Sequence, residues 1–386
     1  MEVTDPEAEG EDLNDKRVPC ENGLAGVFPC QGYDLMAQLD CEGMGATRAN
    51  DSWGWTDPST GREYALVGLN NGTAFVDIST PDEPIYLGKL PTATESSTWR
   101  DIKVYQDHAF IVSEAPEHGM QVFDLTQLRS VTTPPETFTA SARYIGFGNA
   151  HNIVINEDTA YAYAVGTSED NGAPQFIDIS DPLNPQFAGS LGISDYSHDA
   201  QVVTYNGPDT DYQGQEILIG SNTDEVVIFN VTDKQNPTLI ASTRYPNIGY
   251  THQGWFTEDQ RYFLVNDELD EVNFGFNSRA LVFDFSDLDN PVLFHTYEGP
   301  TAAIDHNFYI RGNQMYLANY RAGMRVVDIS GIGARSMNET GFFDTFPSSN
   351  SPNFNGAWNV YPYFDSGNII ISDIDGGLFI VRPSGT

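Results

Sequence analysis

The stretch Phe75-Val76-Asp77-Ile78-Ser79 returns throughout this 386-residue chain. Its later copies are Val122–Thr126, Phe176–Ser180, Ile228–Thr232, Val282–Ser286, Val326–Ser330 and a degenerate one at Phe379–Pro383. The copies recur about every 50 residues, a period typical of β-propellers when each repeat contains strand-like runs and little helical periodicity. The sequence therefore predicts an all-β fold, a seven-bladed β-propeller with one four-stranded sheet per repeat.

The seventh repeat runs out near Pro383, before a fourth strand. Residues 34–40 (Asp34-Leu-Met-Ala-Gln-Leu-Asp40) have the pattern of a fourth strand and precede the first repeat. We expect this N-terminal strand to complete the last blade, because closure of the ring removes exposed sheet edges. On this interpretation residues 1–17 are a disordered acidic leader, and residues 18–386 are a single propeller domain.

The charge of the chain limits its partners. It contains 55 Asp and Glu against 18 Lys and Arg, a formal net charge of −37. Such a field repels nucleic acid and anionic membranes, and it favours either a surface adapted to high salt or the binding of cations. No apolar run reaches the length of a membrane span. We expect no nucleic-acid partner and no membrane span.

Alignment of the predicted innermost strands places a histidine at one equivalent position in four consecutive repeats: His151, His198, His252 and His306. The same position contains Arg100 in the second repeat, Trp358 in the last and, by a weaker alignment, Trp53 in the first. Innermost strands of a propeller line its central channel, so this position is expected at a channel mouth. Four of the seven histidines of the chain share it.

Three interpretations of this position stay open. In the first, each imidazole hydrogen-bonds a neighbouring blade, because buried polar groups need partners. In the second, the histidines bind a transition metal (Zn, Cu, Fe or Ni), and Asp101, Asp199 and Asp305 accept hydrogen bonds that fix their tautomers. In the third, the two tryptophans and the arginine line a site for another ligand.

A second candidate site is the acidic segment that follows Asn266. Asp267, Glu268, Asp270 and Glu271 supply carboxylate oxygens, which Ca²⁺ prefers as ligands. Their spacing is not that of an EF-hand loop, and a solvated acidic loop explains the segment equally well. Calcium therefore stands beside the transition metals as a candidate cofactor.

The remaining motifs favour binding over catalysis. The chain lacks Gly-x-Ser-x-Gly and a glycine-rich phosphate loop, so we favour a binding or adhesion module, with a metalloprotein or metalloenzyme as the alternative. Cys20, Cys30 and Cys41 all precede the repeats, which suggests an oxidising compartment. The spacing of Cys20 and Cys30 suits a small disulfide loop, with Cys41 either free or the partner of one of them.

Several longer strings are shared with a known family: Trp53–Ser79, Ala150–Asp158, Tyr250–Gln260, Gly299–Asn307 and Asn355–Pro362. They resemble the choice-of-anchor B family, whose repeats are of the LVIVD type, and the similarity extends over residues 18–383. The resemblance implies an exported bacterial protein displayed at the cell surface, with Cys20 and Cys30 as that family's N-terminal cysteine pair. It implies no defined activity. We therefore expect an extracellular or cell-surface protein with an unidentified ligand or surface partner.

Overall fold

The computed structural model describes residues 17–192 and 196–386. Seven sheets are present in these ranges, and in each of them the first strand of the sequence repeat lies at the inner edge of an antiparallel meander. The first strands of neighbouring blades contact one another in a closed ring around a central channel. The predicted seven-bladed β-propeller is confirmed.

The N-terminal segment contributes β1 (Leu24–Ala25), β2 (Phe28–Gln31) and β3 (Tyr33–Leu39). Blades 1 and 2 contain β4 (Ala49–Thr56), β5 (Glu63–Leu69), β6 (Gly72–Asp77), β7 (Ile85–Pro91), β8 (Arg100–Tyr105), β9 (His108–Ser113), β10 (Met120–Asp124), β11 (Glu136–Thr137) and β12 (Ala142–Tyr144). The strand β11 lies parallel to β7 on the outer edge of blade 1.

Blades 3 and 4 contain β13 (Asn152–Asn156), β14 (Tyr161–Val165), β15 (Gln175–Asp178), β16 (Gln186–Ser190), β17 (Asp199–Thr204), β18 (Glu216–Ser221), β19 (Val226–Asn230) and β20 (Thr238–Thr243). Blades 5, 6 and 7 contain β21 (Thr251–Phe256), β22 (Tyr262–Asp267), β23 (Arg279–Asp284), β24 (Val292–Glu298), β25 (Phe308–Arg311), β26 (Gln314–Ala318), β27 (Met324–Asp328), β28 (Asn338–Phe343), β29 (Ala357–Tyr361), β30 (Ile369–Asp373) and β31 (Gly377–Pro383). The helical segments are α1 (Asp270–Phe274) and three 3-10 turns, Leu125–Ser130, Asp170–Gly172 and Ile332–Ala334. No described helix combines the length and the hydrophobicity needed to cross a bilayer.

The recurring motif forms the third strand of a blade, and its polar residue ends that strand. In six blades the side-chain Oδ1 of this residue accepts a hydrogen bond of 2.9–3.0 Å from the backbone N–H two residues later. The residues are Asp77, Asp124, Asp178, Asn230, Asp284 and Asp328. This local turn stops the strand and starts the reversal to the fourth strand. The motif therefore repeats because every blade needs the same turn.

The hydrophobic core is divided among the interfaces between blades. Each pair of neighbouring blades encloses its own cluster of buried apolar side chains. Between blades 1 and 2, for example, the rings of Phe75 and Phe123 stack with centroids 4.6 Å apart. Because each blade packs only against its neighbours, the ring is stable only when the first and last blades also meet.

The N-terminal segment brings about this meeting. The strand β3 pairs antiparallel with β31, with Tyr33 opposite Pro383 and Leu39 opposite Leu378, and supplies the fourth strand of blade 7. The hairpin of β1 and β2 extends blade 6 through Cys30 opposite Phe343, which the sequence did not predict.

A disulfide joins Cys20 to Cys30, and Cys41 is a free, buried thiol whose pKa is raised to about 11 by burial. Of the predicted acidic leader, only Arg17 lies within the described residues, where it pairs with Asp34.

Candidate functional site

At one mouth of the channel four imidazoles and an indole lie in a continuous row. Ring centroids are 4.3 Å apart for His151 and His198, 4.3 Å for His198 and His252, 4.4 Å for His252 and His306, and 4.2 Å for His306 and Trp358. We call this end of the channel the histidine mouth. The structure thus brings together five of the residues that the sequence aligned at one position.

The other two residues aligned at that position lie elsewhere. Arg100 is 2 % exposed, and its guanidinium contacts the carbonyl oxygen of Leu69 and the imidazole of His118. Trp53 lines a separate cavity of about 490 Å³ at the opposite mouth, together with Trp255, Tyr361 and Tyr363. These two placements correct the predicted ligand site.

The error at Trp53 is an offset in the sequence alignment. The strand β4 contains a bulge between Ala49 and Ser52, and β21 contains the equivalent bulge between Thr251 and Gly254. Matching these two bulges places Asn50, not Trp53, opposite His252. The same match places Trp53 opposite Trp255, which lines the opposite mouth as well. The sequence alignment was therefore offset by three residues, because the position of a bulge is not visible in the hydrophobic pattern.

The three aspartates predicted to fix the imidazole tautomers do not contact the histidine row. Asp101 accepts hydrogen bonds from Lys103 Nζ at 2.7 Å and from the backbone N–H of Ile153 at 2.6 Å. Asp199 accepts one from the backbone N–H of Ala200, and Asp305 one from that of Arg279. The Asp101 contact joins blade 2 to blade 3, so this aspartate stabilises the ring of blades.

Backbone carbonyls of the next blade bind two of the four histidines instead, while His151 Nδ1 lies 2.7 Å from Oε1 of Glu114. His198 Nδ1 lies 3.0 Å from the carbonyl oxygen of His252, and His306 Nδ1 lies 2.5 Å from that of Trp358. A carbonyl oxygen only accepts, so Nδ1 carries the proton and Nε2 keeps its lone pair. Burial lowers the pKa of His198 and of His252 well below the usual range and that of His306 to about 3. These imidazoles are neutral at physiological pH, the form in which histidine binds metals.

Glu268 lies against two of these imidazoles. Its Oε2 is 3.9 Å from His252 Nε2, and its Oε1 is 3.7 Å from His306 Nε2. The hydroxyl of Tyr320 donates to Oε1 over 2.7 Å and orients the carboxylate. Burial raises the pKa of Glu268 to about 7, although 16 % of its side-chain surface stays exposed. Sequence reasoning missed this partnership, because Glu268 lies on the turn after β22, outside the repeated motif.

The acidic segment therefore does not form the single calcium site predicted from Asp267, Glu268, Asp270 and Glu271. Asp267 accepts hydrogen bonds of 2.7 Å from the backbone N–H groups of both Gly249 and Tyr250, and it stabilises a turn. Glu268 faces the histidines, whereas Asp270 and Glu271 form a different group with Asp305. The four acidic side chains of this short turn thus belong to three different environments, which composition alone does not reveal.

The described residues contain three groups in which donor atoms of His, Asp or Glu lie within 4.8 Å of one another. One of them is His252, Glu268 and His306; the other two contain only aspartate and glutamate. Two imidazoles and one carboxylate form a ligand set used for Zn²⁺ and for non-haem Fe²⁺. Ligands held about 2.1 Å from one metal are about 3.0–3.4 Å apart, so a shift of a few tenths of an ångström would bring Glu268 into range.

A cavity of about 460 Å³ opens above this group and is lined mostly by aromatic side chains. Trp99 stacks on Trp358 with ring centroids 4.7 Å apart, and Phe354 meets Tyr320 edge to face at 5.5 Å. An aromatic cavity with a few convergent polar groups at its base is the usual form of a small-molecule site.

Family comparison identifies the repeat. The LVIVD repeat family matches residues 62–92 and 306–345, which include β5 to β7 of blade 1 and β25 to β28 of blade 6. The chain is a β-propeller that carries LVIVD repeats. No curated protein matches it.

Solved structures resemble the chain in fold. A Lactobacillus plantarum protein has a TM-score of 0.55 at 12% identity and covers 84% of this chain and 89% of its own. Kuenenia stuttgartiensis hydrazine synthase has a TM-score of 0.61 at 9% identity, over 84% of this chain and 93% of that one. The β-propeller domain of Myceliophteria thermophila Cps50 (Swd1) has a TM-score of 0.53 at 11% identity, over 83% and 93%. At these identities the likeness concerns the fold alone.

Proposed function

We propose that this LVIVD-repeat propeller is an exported binding module whose histidine mouth holds a transition metal, with Zn²⁺ or Fe²⁺ as the ions that suit the ligands best. One observation carries the proposal. The Nε2 atoms of His252 and His306 face the same carboxylate, that of Glu268, at 3.9 and 3.7 Å. We assign these three side chains as the ligands, in place of a centre made of all four histidines.

The surroundings of the three ligands favour a metal over a structural hydrogen bond. At 3.7–3.9 Å the imidazoles are too far from Glu268 to form hydrogen bonds with it. The Nδ1 proton of His306 is already donated to Trp358, so its Nε2 presents a lone pair to Glu268. A lone pair and a carboxylate that face each other repel, and a cation bound between them would remove the repulsion. The hydroxyl of Tyr320 holds the carboxylate in place, as partners of metal ligands commonly do.

Three protein ligands leave coordination positions open for a further ligand. On this arrangement those positions face the aromatic cavity of Trp99, Phe354 and Trp358. The site therefore suits a small organic ligand that offers an oxygen or nitrogen donor to the metal and a flat surface to the aromatic rings. A bound metal would act there as a Lewis acid toward that donor.

Two features support export. The Cys20–Cys30 disulfide is of a type that persists in oxidising compartments. The net charge of −37 suits a surface exposed to salt. Display at the cell surface, as the choice-of-anchor B resemblance implies, belongs to the same proposal.

Metal binding by the chelator-treated full chain tests the function. We expect about one equivalent of Zn²⁺ by calorimetry and elemental analysis, and a visible absorption band with Co²⁺ as a substitute. Glu268→Gln and His306→Ala should each weaken Zn²⁺ binding by more than about 100-fold, because loss of a ligand costs more than loss of a supporting contact. His108→Ala is the matched control, since its imidazole bonds the carbonyl of Gln106 far from the mouth.

A metal-free ligand site is the second candidate, and the stacked Trp99 and Trp358 at the cavity favour it. Absence of stoichiometric Zn²⁺, Fe²⁺, Cu²⁺ or Ni²⁺ binding by the wild type would overturn the metal proposal and leave this second one. Undiminished Zn²⁺ binding by both Glu268→Gln and His306→Ala would show that the ligands lie elsewhere.

A further inference from the structure

Three carboxylates lie buried together, and in sequence they are close to the proposed metal ligands Glu268 and His306. Asp270 and Glu271 begin α1, and Asp305 precedes His306. Their exposed fractions are 0 %, 2 % and 0 %. A donor oxygen of each lies within 4.8 Å of those of the other two. Such a group is unusual, because carboxylates are rarely buried without a partner.

Each of the three has one oxygen held by the protein. Asp270 Oδ2 accepts a hydrogen bond from the guanidinium Nε of Arg279 at 2.8 Å. Glu271 Oε1 accepts one from the backbone N–H of Asp305 at 3.0 Å. Asp305 Oδ2 accepts one from the backbone N–H of Arg279 at 2.7 Å. The three carboxylates are therefore fixed in position.

The other oxygen of each carboxylate has no donor. Asp270 Oδ1, Glu271 Oε2 and Asp305 Oδ1 are buried from solvent and accept no hydrogen bond from any described residue. A buried acceptor left without a partner costs about 1–3 kcal/mol and more when it is charged. Three such atoms in one place need a common partner.

The balance of charge indicates the nature of that partner. Among the described residues, Arg279 is the one basic side chain that forms a salt bridge with any of the three, and it pairs with Asp270. With all three carboxyls ionised, two negative charges would therefore stay in excess. A buried, uncompensated charge costs several kcal/mol even after relaxation of the protein. One divalent cation would neutralise the excess and contact all three oxygens.

We propose that Asp270, Glu271 and Asp305 form a structural Ca²⁺ site, distinct from the metal site proposed at the histidine mouth. An all-oxygen set suits a hard cation and not Zn²⁺ or Cu²⁺. Ca²⁺ accepts irregular geometry at 2.3–2.6 Å, whereas Mg²⁺ requires near-octahedral ligands and keeps several waters. Three buried carboxylates held by fixed hydrogen bonds suit the irregular coordination of Ca²⁺ better than the octahedral, hydrated coordination of Mg²⁺. This site differs from the one predicted from sequence, since it replaces Asp267 and Glu268 by Asp305.

Calcium titration of the full chain tests the proposal. The protein is treated with EGTA, exchanged into calcium-free buffer and titrated at constant ionic strength by calorimetry, and its thermal unfolding is followed with Ca²⁺ or Mg²⁺ in excess. We expect one saturable Ca²⁺ per chain and a rise in Tm of several degrees with Ca²⁺, because a ligand that binds only the folded state stabilises it. Mg²⁺ at equal concentration should give a clearly smaller rise in Tm. The Mg²⁺ measurement serves as the control for general screening of the acidic surface by a divalent cation.

Two isosteric variants separate the site from its alternatives. Glu271→Gln and Asp305→Asn should abolish the Ca²⁺-dependent rise in Tm, yet in EGTA both should be as stable as the wild type or more stable, because each removes a buried charge. The control is Asp287→Asn, at the exposed group of Asp209, Asp287 and Asp289, which should keep the full rise.

Equal effects of Ca²⁺ and Mg²⁺ on the wild type would overturn the proposal and indicate that protons shared among the carboxyls neutralise the cluster. A Ca²⁺-dependent rise that persists in Glu271→Gln would overturn it as well. Neither result depends on whether the histidine mouth binds a transition metal.

Discussion

The two mouths of the channel are built from opposite ends of the same seven inner strands, yet they differ in chemistry. The histidine mouth has the neutral imidazoles of His252 and His306 beside Glu268, a carboxylate that pairs with no lysine or arginine among the described residues. At the opposite mouth, where Trp53 and Trp255 line the cavity, the one lysine is neutralised by Asp101 at 2.7 Å. Lys103 and Asp101 at the opposite mouth thus satisfy each other, whereas Glu268 at the histidine mouth has no lysine or arginine partner among those residues.

The loops explain this difference. Glu114, Glu268 and Tyr320, which follow the second strands of three blades, all line the cavity at the histidine mouth. The opposite mouth is lined largely by the inner strands themselves, through residues such as Val154 and Val202. Side chains added by loops are free to differ from blade to blade, while inner strands repeat. In this propeller the proposed site combines His252 and His306, from the repeated inner position, with Glu268 from a loop that differs from blade to blade.

The largest effect on stability is expected from breaking the ion pair of Lys103 and Asp101 at the opposite mouth. Lys103→Met removes the cation from Asp101 and from its neighbour Asp51, whose pKa is raised well above the usual range by burial and then by Asp101. Removing one member of a buried pair costs about 3–5 kcal/mol, because the other charge stays buried. Urea unfolding measures the loss, with the exposed pair of Arg244 and Asp224 as control through Arg244→Met. An equal, small loss in both variants would show that the Lys103 pair is not structurally important.

The next effect concerns the histidine mouth and uses the opposite mouth as its control. Glu268→Gln should reduce Zn²⁺ affinity by more than about 100-fold, whereas Trp255→Phe at the opposite mouth should leave it unchanged. Thermal unfolding of both variants in chelator checks that the fold is intact. A similar reduction in the two variants would mean that metal binding depends on the channel as a whole and not on the three assigned ligands.

A third effect is a pH dependence of stability that originates between the two mouths. Burial, and then the charge of Asp101, raises the pKa of Asp199 to about 7. In the unfolded chain this carboxyl titrates near its usual value of about 3.9. Between these values the folded state binds the extra proton, so stability decreases as pH rises from about 4 to about 7 and changes no further above that.

Asp199→Asn should remove this part of the slope, up to about 1.4 kcal/mol per pH unit. The measurement is urea unfolding of wild type and variant at several pH values in that interval. Identical slopes would contradict the assignment. The difference between the two proteins is the relevant quantity, because other buried carboxyls such as Asp373 contribute to both slopes.

The sequence predicted those features that each blade specifies locally. The polar residue of the third strand, as at Asp77 and Asp284, forms its turn with the residues that follow it, so the repeat and the blade count are visible without any long-range contact. Closure by residues 34–40 was predictable because a strand pattern stood outside the repeats, and the structure places it at Tyr33–Leu39.

The site was less predictable, for two physical reasons. Trp53 was aligned three residues out of register, because the alternating pattern shows no trace of the bulge between Ala49 and Ser52 that fixes the match of β4 with β21. Glu268 meets His306 across two neighbouring blades and lies outside the repeated motif. Its direction depends on the bonds of Asp267 to the backbone of Gly249 and Tyr250, which no sequence pattern indicates.

The smallest effect distinguishes a three-ligand centre from one that uses the whole histidine row. His198 has its Nδ1 bonded to the carbonyl of His252 and lies outside the group of donor atoms formed by His252, Glu268 and His306. His198→Ala should therefore lower Zn²⁺ affinity by less than about tenfold, through looser packing against His252, the effect expected of a supporting residue. His252→Ala, one position along the same row, should lower it by more than about 100-fold. If both substitutions abolish binding equally, the metal is shared among more of the row, and Glu268 would be a supporting residue and not a ligand.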